Sequence, residues 1–224
     1  MRLYHFLNAK YGLLDIRHRR LKIARINELN DPFEFLGVAT KSRHLRRRYQ
    51  QLKDDLNGYL GLVCFSANWN NPVQWSHYAD CHQGLCLGFE VTALAHKVNY
   101  ASERLIAKPS AMKSAGAEAE AHVMEILTTK FEHWIYEDEY RVFPQLQEPD
   151  QSGLCFLEFD GQVALREVIV GPRSIVRMSR TRWERWHPKC RATKRDWRSA
   201  VSTSSVKRTI GFGSSGDESI RQCD

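Results

Sequence analysis

The chain has 224 residues with 33 Lys and Arg against 26 Asp and Glu, a net charge of +7, enough length for one substantial core and a surplus of positive charge. No stretch approaches the roughly 20 consecutive apolar residues that span a bilayer, and Met1 leads directly into the strand-like LYHF, so neither a membrane span nor a secretory leader is expected. The six cysteines are scattered rather than arranged as a dense framework, which predicts a cytoplasmic protein with thiols instead of disulfides.

RLYHF opens a short strand, NAKYGLLDIRHRR follows with helical character, and RLKIARI reads as a second strand leading into the turn NELNDPFEF. In residues 41 to 60, Leu45, Tyr49, Leu52, Leu56 and Tyr59 recur at helical spacing with Arg and Lys between them, an amphipathic helix with a basic outer face. YLGLVCFS is a buried strand and GLCLGFEV another, after a turn at Gln83-Gly84. SAMKSAGAEAEAHVMEILTTKFEHW is predicted to be one helix from its Ala, Glu and Leu content, and YEDEYRVFPQL, GLCFLEFD and REVIVGP supply three further strands. The expected fold is α+β: a single domain over 1–175 with a mixed, mostly antiparallel sheet of short strands flanked by helices. Residues 176–198 read as a basic extension, part of a segment from Arg173 with ten Arg and Lys and three Trp, and 199–224 as a disordered tail.

There is no G-x-x-x-x-G-K-[ST], no G-x-G-x-x-G between strand and helix, and no G-x-S-x-G, which removes the P-loop, the dinucleotide fingerprint and the nucleophile elbow. The densest chemistry lies in QWSHYADCHQGLCLGF, residues 74–89. His77, Cys81, His82 and Cys86 offer zinc-ligand types, but not the paired spacing of zinc sites. Cys81 or Cys64 beside His77 or His82 would suit a thiolate nucleophile only with a base in reach. The third reading is a packed turn, with Trp75 and Tyr78 shaping a wall and His77 or His82 touching a ligand.

LNDPFEF at 29–35, CFS at 64–66, W-S-H-Y-A-D-x-H-x-G at 75–84 and W-I-Y-E-D-E-Y-R at 134–141, in that order with V-x-Y at 98–100 and K-x-x-x-W before the last block, resemble the bacterial domain of unknown function 2971. The resemblance runs from about residue 3 to 175 and implies no activity. A looser resemblance is to ADP-ribosyltransferases: a histidine on the first strand, a serine ending a middle strand and E-x-E at the start of a late strand. It implies an ADP-ribosyltransferase-like fold with NAD as substrate. His5 would hold the dinucleotide, Ser66 or Tyr78 contact the ribose, and Glu139 be catalytic with Glu137 and Arg141 beside it. A developing oxocarbenium charge would be stabilised by such carboxylates.

Asp31 or Glu34 is expected to face the same pocket as Glu139. Several carboxylates with histidines would also suit a divalent cation for phosphodiester hydrolysis, a nuclease reading that requires magnesium or manganese. The third class is a non-catalytic module in which the basic helix and the Trp-rich segment bind a nucleic acid or another partner. A role in toxin or phage-defence conflict is the expected setting; the oligomeric state is left open.

Overall fold

The computed structural model describes residues 1–31, 34–35, 37–111, 116–176 and the strand Arg191–Thr193. The expected extension and tail otherwise lie outside the described residues. The fold is α+β, as the alternation of patterns predicts. Six strands form its frame: β1 (Arg2–Leu7), β2 (Gly61–Ser66), β3 (Leu85–Val91), β4 (His96–Lys97), β5 (Glu139–Val142) and β6 (Val163–Val170). They lie side by side in the order β6-β3-β1-β2-β5-β4, with every neighbouring pair antiparallel, while Arg191–Thr193 adds a parallel strand outside β6.

The central strands β1, β2 and β3 bury both faces, so side-chain alternation separates two cores. Leu3 and Leu7 of β1, Val63 and Phe65 of β2, and Leu85, Leu87, Phe89 and Val91 of β3 form the main cluster, against which Ile16 of helix α1 (Ala9–His18) packs. The alternate positions Tyr4, Phe6 and Cys86 meet Trp75 and Ala79 on the opposite face. Trp75 belongs to helix α3 (Pro72–Tyr78), while helices α2 (Arg43–Tyr59) and α4 (Ala117–Leu127) cover Leu62 of β2 through Tyr49, Leu56, Ile126 and Leu127.

Local chemistry sets the helix starts. Asn8, Ser42 and Asn71 cap α1, α2 and α3 by accepting backbone N–H groups of the first turn, and Pro72 occupies the first position of α3, where no N–H is needed. On α2 Tyr49 and Leu56 of the expected stripe are buried, Leu45 and Leu52 half-buried and Tyr59 exposed at the helix end, while Arg43, Arg46 and Arg47 face solvent as the spacing predicts. Among the described residues no helix is long and apolar enough to cross a membrane.

Three expectations are corrected. The helix predicted to run through FEHW ends at Leu127; Thr129–Phe131 pairs in parallel with Asn99–Ala101 and Glu132–Glu137 is a 3-10 turn. The β-branched pair Thr128-Thr129 sits where the ladder stops, each hydroxyl donating to a carbonyl four residues back. The strand expected from Tyr136 begins only at Glu139, because Asp138 takes a left-handed conformation with φ 42°. Cys81 is disulfide-bonded, against the expectation of thiols throughout; its turn holds it on a surface loop, where spacing along the chain carries no pairing information.

That turn runs through Asp80, Cys81 and His82, all at positive φ, and returns the chain through Gly84 into β3. A Cβ on Gly84 would lie 2.3 Å from the Leu7 carbonyl oxygen and 2.9 Å from the Ala79 backbone, neither of which can withdraw. Gly84→Ala is expected to destabilise the fold by about 2 kcal/mol, the scale of forced overpacking, measured by urea denaturation; an unchanged midpoint would contradict this packing.

Candidate active site

β1 pairs with β3 along its whole length, yet it shares with β2 only the pair Tyr4–Ser66. Beyond that pair the two strands part. A pocket of about 120 Å³ occupies the gap, lined by His5, Cys64, Ser66, Gln74, Tyr78, Glu34, Lys130, Glu137, Glu139 and Arg141 among others. Ser66 is also in register with Glu139, so Tyr4, Ser66 and Glu139 form one row across three neighbouring strands.

Beneath the pocket lies a buried ionic cluster. Arg141 is 1% exposed. Its Nε donates to Glu139 Oε1 at 2.8 Å and Nη2 to Glu139 Oε2 at 3.1 Å. Nη2 also donates to Glu34 Oε1, and Nη1 donates to the Leu127 carbonyl at 2.8 Å. Lys130 supplies the second cation, donating to Glu137 at 2.6 Å and Glu139 at 3.3 Å, with Glu34 at 3.6 Å. Its ammonium also sits 4.7 Å from the Trp134 ring centroid. Burial alone would lower Lys130, but the three surrounding carboxylates outweigh it and keep the ammonium charged.

The two glutamates of the E-x-E are driven apart. For Glu139 burial works upward, but Arg141 and Lys130 hold its carboxyl down to about 2. Burial raises the Glu137 carboxyl, opposed by Lys130. Tyr78 donates its hydroxyl to Glu137 Oε1 and accepts from Asn30 Nδ2 at 2.7 Å. Burial and the Glu137 charge raise the phenol, so Tyr78 stays a donor. Gln74 fixes the far wall, donating to Ser66 Oγ at 3.0 Å and to the carbonyls of Tyr136 and Glu137.

A second cavity of about 650 Å³ adjoins the cluster and shares Glu34 and Lys130 with the first. Asp31, Trp134, Tyr136 and Phe131 are among its walls. Its size falls within the usual ligand-site range, whereas the smaller pocket holds only a ring or a sugar.

The residues singled out in the sequence are thus distributed unequally. His5, Ser66, Tyr78, Glu137, Glu139 and Arg141 line the smaller pocket, and Asp31 the larger. His5 alternates with Tyr4 and shares the side of Leu3 and Leu7; its Nδ1 lies 2.8 Å from the Cys64 carbonyl oxygen, so Nδ1 carries the proton and Nε2 is left as an acceptor. Burial lowers its pKa, which keeps the ring neutral.

Glu137, expected on a strand with Glu139, belongs to the 3-10 turn and reaches the cluster through Lys130. Trp75 is fully buried against Phe6 in the core instead of on a pocket wall. His77 is exposed, with Nδ1 3.1 Å from the Tyr136 hydroxyl, and His82 gives its carbonyl to the Arg173 N–H; neither lines a cavity described above.

Burial raises the thiols of Cys64 and Cys86, the reverse of what a nucleophile needs. Lys130, Gln74 and Tyr100, whose hydroxyl accepts the Glu139 N–H at 2.9 Å, escaped the sequence reading as site residues. Lys130 and Tyr100 were present in it as motif letters, in K-x-x-x-W and V-x-Y.

Removing one partner of a buried pair strands the other, so Arg141→Met is expected to cost about 3–5 kcal/mol in urea denaturation. A loss under 1 kcal/mol would contradict the cluster's burial. Glu139 is depressed from 4.5 to about 2. Its contribution is therefore complete above pH 4.5 and lost as the pH falls toward 2. Glu139→Gln should flatten that acid limb of the stability profile; an unaltered limb would refute the assignment.

Comparison with curated proteins and with solved structures gives no match. Residues 74–142, from the first turn of α3 to the last residue of β5, match the family model Protein of unknown function (DUF2971), so the expected resemblance holds over the stretch that supplies Gln74, Tyr78, Lys130, Glu137, Glu139 and Arg141.

Proposed function

We propose that the protein is an NAD-dependent ADP-ribosyltransferase whose reacting sugar lies in the smaller pocket. The observation that carries this reading is the meeting of β1, β2 and β5, which brings His5, Ser66 and Glu139, distant in sequence, around one gap between strands. Cleavage of a glycosidic bond to nicotinamide builds positive charge at the sugar, and a carboxylate kept ionised at all physiological pH values stabilises it. Glu139 has that property, while Tyr78 and neutral His5 provide a donor and an acceptor for ribose hydroxyls. The acceptor would be a protein or a nucleic acid; exposed Arg43, Arg46 and Arg47 on α2 suit a polyanion.

Metal-dependent phosphodiester hydrolysis has less support. Each carboxylate of the cluster is already engaged by Lys130 or Arg141, and among the described residues no three His, Cys, Asp or Glu side chains are grouped to hold an ion.

Wild-type protein should bind NAD in calorimetry and release nicotinamide, followed chromatographically. His5→Ala should weaken binding at least tenfold, about 1.4 kcal/mol, and Glu139→Gln should lower turnover by roughly 10²–10³-fold. Folded wild-type protein that neither binds NAD nor releases nicotinamide would overturn the proposal.

A further inference from the structure

The larger cavity has a chemistry of its own. Behind its floor the cluster holds three carboxylates, Glu34, Glu137 and Glu139, against two cations, Lys130 and Arg141, which leaves one negative charge in excess when all are ionised. Buried charge without compensation is costly. Glu34 lines the cavity at 4% exposure, and its Oε2 has no hydrogen-bond partner, a condition rare for buried polar atoms. The same walls carry Asp31 and Glu103 together with Arg104 and Lys130, so that, with Glu34, three carboxylates line the cavity against two cations. Trp134 and Tyr136, with ring centroids 5.9 Å apart, give the cavity an aromatic side.

Excess negative charge, an acceptor without a donor and π surface together select one class of occupant. We propose that the larger cavity binds a planar organic cation, an amidinium, guanidinium or pyridinium group, packed on the Trp134 side with its positive charge toward Glu34. Aromatic faces and carboxylates both attract such a group, and a desolvated cation over Trp gains more than an exposed one. A neutral sugar or lipid would supply no such charge. This site stands independently of the transferase reading.

The test compares benzamidine with benzamide, nearly the same shape but neutral, by calorimetric titration into the full chain. Benzamidine is expected to bind at least tenfold tighter. Glu34→Gln should erase that ratio, and Trp134→Leu, which keeps every carboxylate and cation of the cluster, should weaken benzamidine at least fivefold. Equal affinities for the two compounds, no benzamidine binding, or a full ratio retained in folded Glu34→Gln would each overturn the site. Displacement of benzamidine by NAD would identify the natural cation as the pyridinium of the dinucleotide, and simultaneous binding would identify a separate amidine or guanidine ligand. Protein that binds benzamidine and not NAD would leave the cation site standing while the transferase proposal falls.

Discussion

The guanidinium of Arg141 is the interaction on which the site depends. It is shut away from water, and a group so costly to desolvate persists only where every donor is satisfied. Its partners come from three separate parts of the chain: Glu139 on the same strand, Glu34 in the turn after the first strands, and the carbonyl of Leu127 at the end of α4. Satisfying one side chain therefore fixes β5, the backbone at Glu34 and the end of a helix relative to one another. Lys130 follows three residues after Leu127, so the same helix end also delivers the second cation.

This arrangement divides two carboxylates that look alike in sequence. Glu139 lies against both cations and is held as an anion; Glu137 gives one oxygen to Lys130 and the other to the Tyr78 hydroxyl, and burial moves its carboxyl upward. Environments that push neighbouring carboxyl groups in opposite directions are a recurrent way for one site to hold an acid and an anion together. The parting of β1 and β2 beyond a single residue pair adds the space, and His5 stands at its edge with one nitrogen committed to the backbone.

Much of the frame was legible because β1, β2, β3 and β6 carry largely apolar runs with their own flanking turns. LCLGFEV and the leading LYHF needed no tertiary information. The α2 stripe was likewise visible in the spacing of Tyr49 and Leu56. Boundaries failed where local preference and tertiary demand disagree: nothing in FEHW itself says that Lys130 must leave the helix to reach two glutamates. The site was half legible. Glu139 and Arg141 share a side by strand alternation alone, but the partner of Arg141 across the fold, Glu34, is 107 residues away. Trp75 and His77 were conspicuous as letters, yet one packs the core and the other faces solvent. Composition marks reactive side chains, and only the fold assigns them a direction. The Arg- and Trp-rich segment beyond Val176 lies, apart from its short strand, outside the described residues.

The central claim is that the buried cluster of β5 is the floor of a ligand site and more than a structural knot. A crystal structure of the protein soaked with NAD tests it most directly. The account predicts density for the reacting ribose between His5, Ser66 and Glu139. Density confined to another surface, or none from crystals soaked at saturating concentration with the pocket open to solvent, would contradict it.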